Sequence, residues 1–279
     1  MPGPPIDPAP DTRFAFGENW RRFLDGLTPA RLAEAEKSLR EMLGVPSLEG
    51  MSFLDAGSGS GLFSLAARRL GARVRSFDYD PQSVACTQAL KDRFFPGDPS
   101  WAVELGDALD QAYLRSLGSF QVVYSWGVLH HTGDQWRALD NAARAVAPGG
   151  LLYIALYNDQ GWPSRVWAAV KLAYNRLPGP LRWLVAGPAL LRLWGPATLK
   201  DLLRGRPFHT WRTYQSNRGM NAWRDFVDWV GGYPFEVSRP QEVMDFLAPR
   251  GFTELKHTDC GRGLGCNEFL LRNTAPPLP

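Results

Sequence analysis

The sequence predicts an α/β protein: a seven-stranded, mostly parallel sheet ending in an antiparallel hairpin, with a helical segment before it and a helical insertion within it. Three observations carry this. Short apolar runs alternate with helical stretches from residue 51 to 157, as right-handed βαβ units do. A glycine-rich turn joins the first run to the first of those helices. The last two runs, at 252–257 and 268–272, are linked too briefly for a parallel crossover, so they pair antiparallel.

The elements follow in order. Residues 1–13 are rich in proline and read as a tail, as do 273–279. From 14 to 47 the pattern is helical. Phe16, Trp20, Phe23 and Leu27 form one stripe, and Leu32, Ala35, Leu39 and Leu43 another; between them Thr28 is placed to cap and Pro29 to open the second helix. A core is expected over 48–158. Its strands fall at 51–55, 73–77, 101–105, 120–125 and 151–157, with helices at 62–70, 81–95 and 135–146, the last stopped by Pro148-Gly149-Gly150. Residues 159–235 break the alternation with a Trp/Leu/Arg-rich helical insertion, interrupted at Pro178-Gly179-Pro180, Gly187-Pro188 and Gly195-Pro196. Residues 236–272 complete the sheet with a helix at 240–247 and the hairpin.

Composition narrows the class. With 44% apolar and 21% charged residues the chain can bury a core and is not disordered. A net charge of +3 is too small to argue for nucleic acid. Three cysteines in 279 residues make no disulfide scaffold, so a cytoplasmic location is expected. No run of about 18 apolar residues predicts a membrane span, and MPGPPIDPAPD has neither the basic nor the apolar region of a signal peptide.

The turn reads Leu54-Asp55-Ala56-Gly57-Ser58-Gly59-Ser60-Gly61. Its glycines allow a tight turn and close approach of a ligand to the main chain, and the following helix offers unpaired N–H groups. The spacing differs from the G-x-G-x-x-G dinucleotide fingerprint, and an acid stands two positions before the first glycine, which suits a ligand bearing an ammonium group. Asp78 ends the second strand, where a carboxylate can accept ribose hydroxyls, and Asp107 ends the third. Three acids at successive strand ends converge on one crevice.

LDAGSGSG, SFDYDP, LGDA, VVYSWGVLHH and the glycines before LLYIALYN, in this order over about residues 51–157, resemble the successive motifs of the class I S-adenosylmethionine (SAM)-dependent methyltransferases. The resemblance implies a Rossmann-like sheet and SAM as cofactor, with S-adenosylhomocysteine (SAH) as product. It implies that Asp55, Gly57, Ser58, Gly59 and Gly61 hold the methionine part, Asp78 the ribose, and Asp107 with Ala108 the adenine. Tyr79 would pack on the purine, and Ser125 and Trp126 would lie near the methionine end.

Methyl transfer from a sulfonium needs mainly alignment, and a base only where the acceptor must lose a proton. His130-His131 follows the fourth strand; His131 is the preferred base, with His130 and Tyr157 as further catalytic candidates. Either histidine has a plain alternative, His130 as packing and His131 as an orienter of the Asp134 helix. Asn158 and Trp162 after the fifth strand, and Phe16 and Trp20 in an aromatic lid, are candidate acceptor contacts, with turn and core as their bland readings. No Asn/Asp-Pro-Pro-Tyr/Phe and no cysteine follows the fourth strand, which argues against amino-group methylation of that type and against the covalent cytosine mechanism. No metal is expected. Cys260 and Cys266 lack the companions of a zinc site and read as a glycine-rich hairpin turn.

Between 160 and 212 nine basic residues face one acid, Asp201, and five of the eleven tryptophans lie there. Three readings stand: a substrate cap, a peripheral membrane contact, or a homo-oligomer interface. The function expected is methylation of a small-molecule acceptor, aromatic or lipid-like, at oxygen or carbon. The alternatives are intramolecular cyclisation of SAM, releasing methylthioadenosine, and a non-catalytic SAM-binding or membrane-peripheral module.

Overall fold

Thr28 and Pro29 begin the first helix, α1 (Pro29–Leu43), in the computed structural model of the protein, which describes residues 27–218, 222–261 and 263–275. The Thr28 hydroxyl accepts from the Arg31 N–H, and Leu32, Ala35, Leu39 and Leu43 form the buried stripe. The first predicted stripe, with Phe16 and Trp20, lies outside the described residues.

The chain falls into two units, one comprising the described residues up to 160 together with 236–275, the other 161–235. In the first, β1 (Ser52–Ala56), α2 (Leu62–Arg69), β2 (Arg73–Asp78), α3 (Pro81–Phe94), β3 (Trp101–Leu105), α4 (Gln111–Leu117), β4 (Phe120–Trp126), α5 (Gln135–Arg144) and β5 (Val146–Tyr157) alternate as expected. They are completed by α10 (Pro240–Leu247), β6 (Phe252–Thr258) and β7 (Cys266–Asn273). The seven strands are ordered β3-β2-β1-β4-β5-β7-β6; β1 to β5 are parallel, and β7 pairs antiparallel with both β5 and β6. Strand order reverses between β1 and β4, the place where open α/β sheets hold ligands at their carboxyl ends.

Alternation of side chains along β1 supplies both faces of the sheet. Phe53 joins Trp101, Tyr124 and Tyr153 under α1 and α2, while Leu54 joins Phe77, Val123 and Ile154 under α5 and α10. All of these are nearly or fully buried, each worth about 1.5–3 kcal/mol for an aliphatic side chain.

Two expectations need correction. The turn at Pro148-Gly149-Gly150 does not precede the strand but belongs to β5, which starts at Val146 because Val146 pairs with Phe120 of β4 across a register shift; the Asn273 amide also donates to the Val146 and Ala147 carbonyls. The short α4, capped by Asp110, was too brief to show a period.

The second unit holds α6 (Trp162–Arg176), α7 (Trp183–Leu203), α8 (His209–Arg218) and α9 (Ala222–Gly231). The break at Pro178-Gly179-Pro180 exists, but Gly187-Pro188 and Gly195-Pro196 lie inside α7 and do not end it. Each proline gives up one helical N–H, and the glycine before it, having no Cβ, relieves part of the clash that proline makes with its preceding residue. Ala186, Ala189, Phe226 and Val230 form the core of this unit, lined by Trp167, Trp194 and Trp229. Within it the fully buried Lys171 donates to the Trp229 carbonyl and lies over the Trp229 and Phe235 rings. No helix among the described residues is long and apolar enough to cross a membrane.

Candidate active site

The glycine turn is built by its neighbours. The Gly57 and Ser58 N–H groups both donate to the Phe77 carbonyl, at 2.9 and 3.0 Å, tying the turn to the end of β2. Gly57 has φ 85°, and a Cβ there would stand 2.3 Å from Val128 Cγ1. At Gly61, φ 77°, a Cβ would meet the Thr87 backbone at 2.8 Å. These two positions admit only glycine without displacement of their neighbours. The Gly59 N–H donates to Asp78 Oδ2 (2.8 Å), and Ser58 Oγ lies 2.9 Å from Thr87 Oγ1.

The acids are not equivalent. Asp78 accepts from Gly59 and, through Oδ1, from the Asp80 N–H (2.9 Å); burial pushes its carboxyl up to about 6. The Asp80, Gly59 and Tyr79 N–H groups favour the charged carboxylate and work against burial. Asp55 is only 2% exposed and faces inward. It accepts from Ser64 Oγ, which neighbours Ser76 Oγ (2.7 Å), which in turn accepts from Trp101 Nε1 (2.9 Å). Burial pushes Asp55 up to about 7, with the Asp78 charge adding to it. Asp55 therefore anchors the start of α2 and the turn from beneath. Asp107 Oδ1 accepts from the Leu109 N–H, and the Ala108 carbonyl accepts from Asn141 Nδ2, both at 2.8 Å. Tyr79 is 53% exposed at the end of β2.

At the end of β4, Ser125 is buried and donates to the Ala56 carbonyl (2.8 Å), so its side chain serves the β1–β4 junction. Trp126 projects from the sheet, and its Nε1 donates to Glu268 Oε1 (3.0 Å). The other Glu268 oxygen accepts from Tyr153 Oη (2.6 Å). Glu268 on β7 thus joins the indole to β5; it was not expected from the sequence.

The histidines divide by burial. His130 is fully buried, its Nδ1 accepts from the Tyr157 N–H (3.2 Å), and its ring lies 3.9 Å from the Tyr157 ring. That hydrogen bond places the ring proton on Nε2. His131 is partly exposed and meets His130 and Tyr157 edge-on, at 4.5 and 5.4 Å between centroids. Glu236, also unexpected, accepts from the Gly133 and Gln135 N–H groups (3.0 and 3.1 Å), and its own N–H donates to the His130 carbonyl (3.0 Å). Burial pushes Glu236 up to about 7.

Asn158 is occupied. Its N–H donates to the Gly265 carbonyl, its Nδ2 to the Gly261 carbonyl, and its Oδ1 accepts from Asn267. It stitches the hairpin turn to the end of β5. Cys260 and Cys266 are free thiols flanking that turn, and burial raises both, Cys266 to about 12. Trp162 opens α6 and is 74% exposed. Among the described residues no group of His, Cys, Asp and Glu is arranged to hold a metal ion.

A glycine-rich turn thus stands beside the point where the strand order reverses, with Asp78 at the next strand end and two histidines after the fourth strand. The sequence profile of the methyltransferase-domain family matches residues 25–216. The chain belongs to that family and is a SAM-dependent methyltransferase of class I. A ubiquinone biosynthesis O-methyltransferase of Caulobacter sp. (strain K31) is 30% identical over 220 residues, covering 72% of this chain and 81% of the relative. One of the same name from Methylobacterium sp. (strain 4-46) is 29% identical over 197 residues, 66% and 75% of the two chains. The fold is shared with the crystal structure of magnesium protoporphyrin IX methyltransferase from Synechocystis PCC 6803 with bound SAH. That likeness has a TM-score of 0.53 at 13% identity and covers 92% of this chain and 93% of the other.

Proposed function

We propose that the enzyme methylates a hydroxyl of a small, aromatic or lipid-like acceptor, with His131 as the base. The observation that carries this reading is the junction of the glycine turn, Asp78 and the loop after β4: Val128 fills the space beside Gly57, and His131 follows three residues on. The names of the relatives, which concern O-methylation in ubiquinone biosynthesis, point the same way.

The residues present fit SAM. Glycines 57 and 61 let the turn pack tightly on Val128 and Thr87 at the ends of the strands, and Asp78, a carboxylate at the end of β2, can accept from ribose hydroxyls. Asp107 and Ala108 serve the adenine, Tyr79 its face, and Trp126 the methionine end; Asp55 and Ser125 act by holding the strand ends. When bound, SAM supplies an electrophilic methyl on a positively charged sulfur. The protein aligns the acceptor oxygen, and the His131 imidazole takes the proton that the oxygen must lose. His130 and Tyr157 pack against His131, and the Tyr157 backbone engages the buried Nδ1 of His130. Peripheral membrane contact through 160–212 is part of the same reading, because a lipid-like acceptor resides in a bilayer.

The test is incubation with methyl-labelled SAM and a series of phenols carrying prenyl tails of increasing length. Label on the phenolic oxygen with one SAH per methyl is expected, with turnover improving as the tail grows. Methylthioadenosine from SAM alone, with no labelled acceptor, would replace methyl transfer by cyclisation.

A further inference from the structure

The helical unit presents a face that its own core does not use. On α7, Ala186 and Ala189 point inward, while Leu184, Pro188, Leu191, Leu199 and Leu202 follow one another along the opposite side, all exposed. Leu184 and Leu191 are 70% and 73% exposed. This spacing makes a single apolar stripe along a helix. Beside it runs the exposed Arg192, and Lys200 is exposed farther round the helix. The helix leads into Leu203-Arg204-Gly205-Arg206-Pro207-Phe208, exposed throughout, with Leu203 at 81%. A monomer's surface does not ordinarily leave large apolar side chains contiguous in this way.

Charge identifies the occupant. The one acid between 160 and 212, Asp201, is 6% exposed, and its oxygens accept from the Thr210 N–H (2.6 Å) and Thr210 Oγ1 (2.9 Å) at the start of α8. It neutralises a helix terminus and is withdrawn from the surface. What remains outside is apolar and cationic. A second copy pairing through the same patch would set arginines against arginines, since a two-fold interface joins identical surfaces. A negatively charged lipid surface matches both properties, with leucines entering the acyl boundary and guanidinium groups meeting phosphates. Arg192, Lys200 and Asp201 prevent the helix from spanning.

We propose that α7 and the 203–208 turn dock the enzyme peripherally on an anionic bilayer, α7 lying in the plane of the interface. This deepens the membrane reading given above by naming the surface and the lipid charge, and it does not depend on the reaction.

The experiment is co-sedimentation of the full chain with vesicles of phosphatidylcholine alone or with about 30% phosphatidylglycerol, at low and high salt. The wild type is expected to bind the anionic vesicles about tenfold or more better, and less well in salt. Leu184→Ser/Leu191→Ser/Leu203→Ser loses most binding at both salt concentrations, whereas Arg204→Gln/Arg206→Gln loses the preference for anionic lipid. SAH titration reports that the sheet unit of both variants is folded, and far-UV circular dichroism at wild-type helix content reports the same of the helical unit, these residues being exposed. The proposal is overturned if the wild type stays in the supernatant, if either folded variant binds as the wild type does, or if the leucine variant instead converts a sedimenting dimer to monomer. Absence of methyl transfer alongside normal vesicle binding would count against the proposed reaction only.

Discussion

His131 and His130 are adjacent in sequence and opposite in consequence. His131 is partly exposed beside Tyr157, so His131→Ala is expected to leave SAH affinity unchanged and to lower kcat about 100-fold or more. His130 is buried with its Nδ1 engaged, so His130→Ala is expected to cost about 2–4 kcal/mol of stability, read from denaturant unfolding. Equal kinetic effects of the two would remove the distinction. Asp78 carries a pH dependence. Its carboxyl is held up at about 6, so it binds a proton below that pH and loses capacity to accept ribose hydroxyls. SAH affinity measured by calorimetry is therefore expected to fall as pH drops through 6, approaching about tenfold per pH unit below it. The glycine turn and Asp78 were legible because their constraint is local. Glu268 was not: its partner Trp126 is 142 positions away, and only the antiparallel strand brings them together.

Elements were legible wherever a period, a cap or a turn residue fell within one segment, as with Thr28 before α1 and the hairpin after β6. They were misjudged where neighbours decided. The two Gly-Pro pairs inside α7 read as stops in the sequence, yet the helix runs through both, and glycine before each proline relieves only part of the clash. The Asn158 amide also ties the hairpin turn through one bond each from Nδ2 and to Oδ1, a partnership that sequence spacing does not show. At this scale Gly57→Ala tests the turn. A left-handed φ and the Val128 contact together are expected to cost about 1–3 kcal/mol, and Val128→Ala in the same chain should restore only the steric part. Glu268→Ala and Trp126→Phe each remove the same hydrogen bond. Their effects on acceptor kcat/KM are expected to overlap, so that the double variant is little worse than either single one. Multiplicative losses would show that Glu268 does not act through the indole.

Over the whole molecule, the buried titratable groups shape stability against pH. Asp55, Asp78 and Glu236 have carboxyls raised to about 7, 6 and 7 by burial, so the folded chain binds more protons than the unfolded one between about pH 4 and 7. Their contribution is full below the unfolded value and is lost as pH rises through 6 to 7. Lys171 acts in the other window. Burial lowers it from 10.5 to about 7, so the unfolded chain binds the extra proton and its contribution rises with pH between those values. Urea unfolding of the ligand-free enzyme should therefore show Glu236→Gln flattening the fall from pH 5 to 7, and Lys171→Met flattening the rise from pH 7 to 10. The central claim is that the crevice at the ends of β1 and β2 grips an adenosyl amino acid through Asp78. Calorimetric titration with SAH tests it most directly: the wild type should bind one SAH per chain and Asp78→Ala at least about 100-fold more weakly. No heat of binding with the wild type, or equal affinity in the variant, would contradict it.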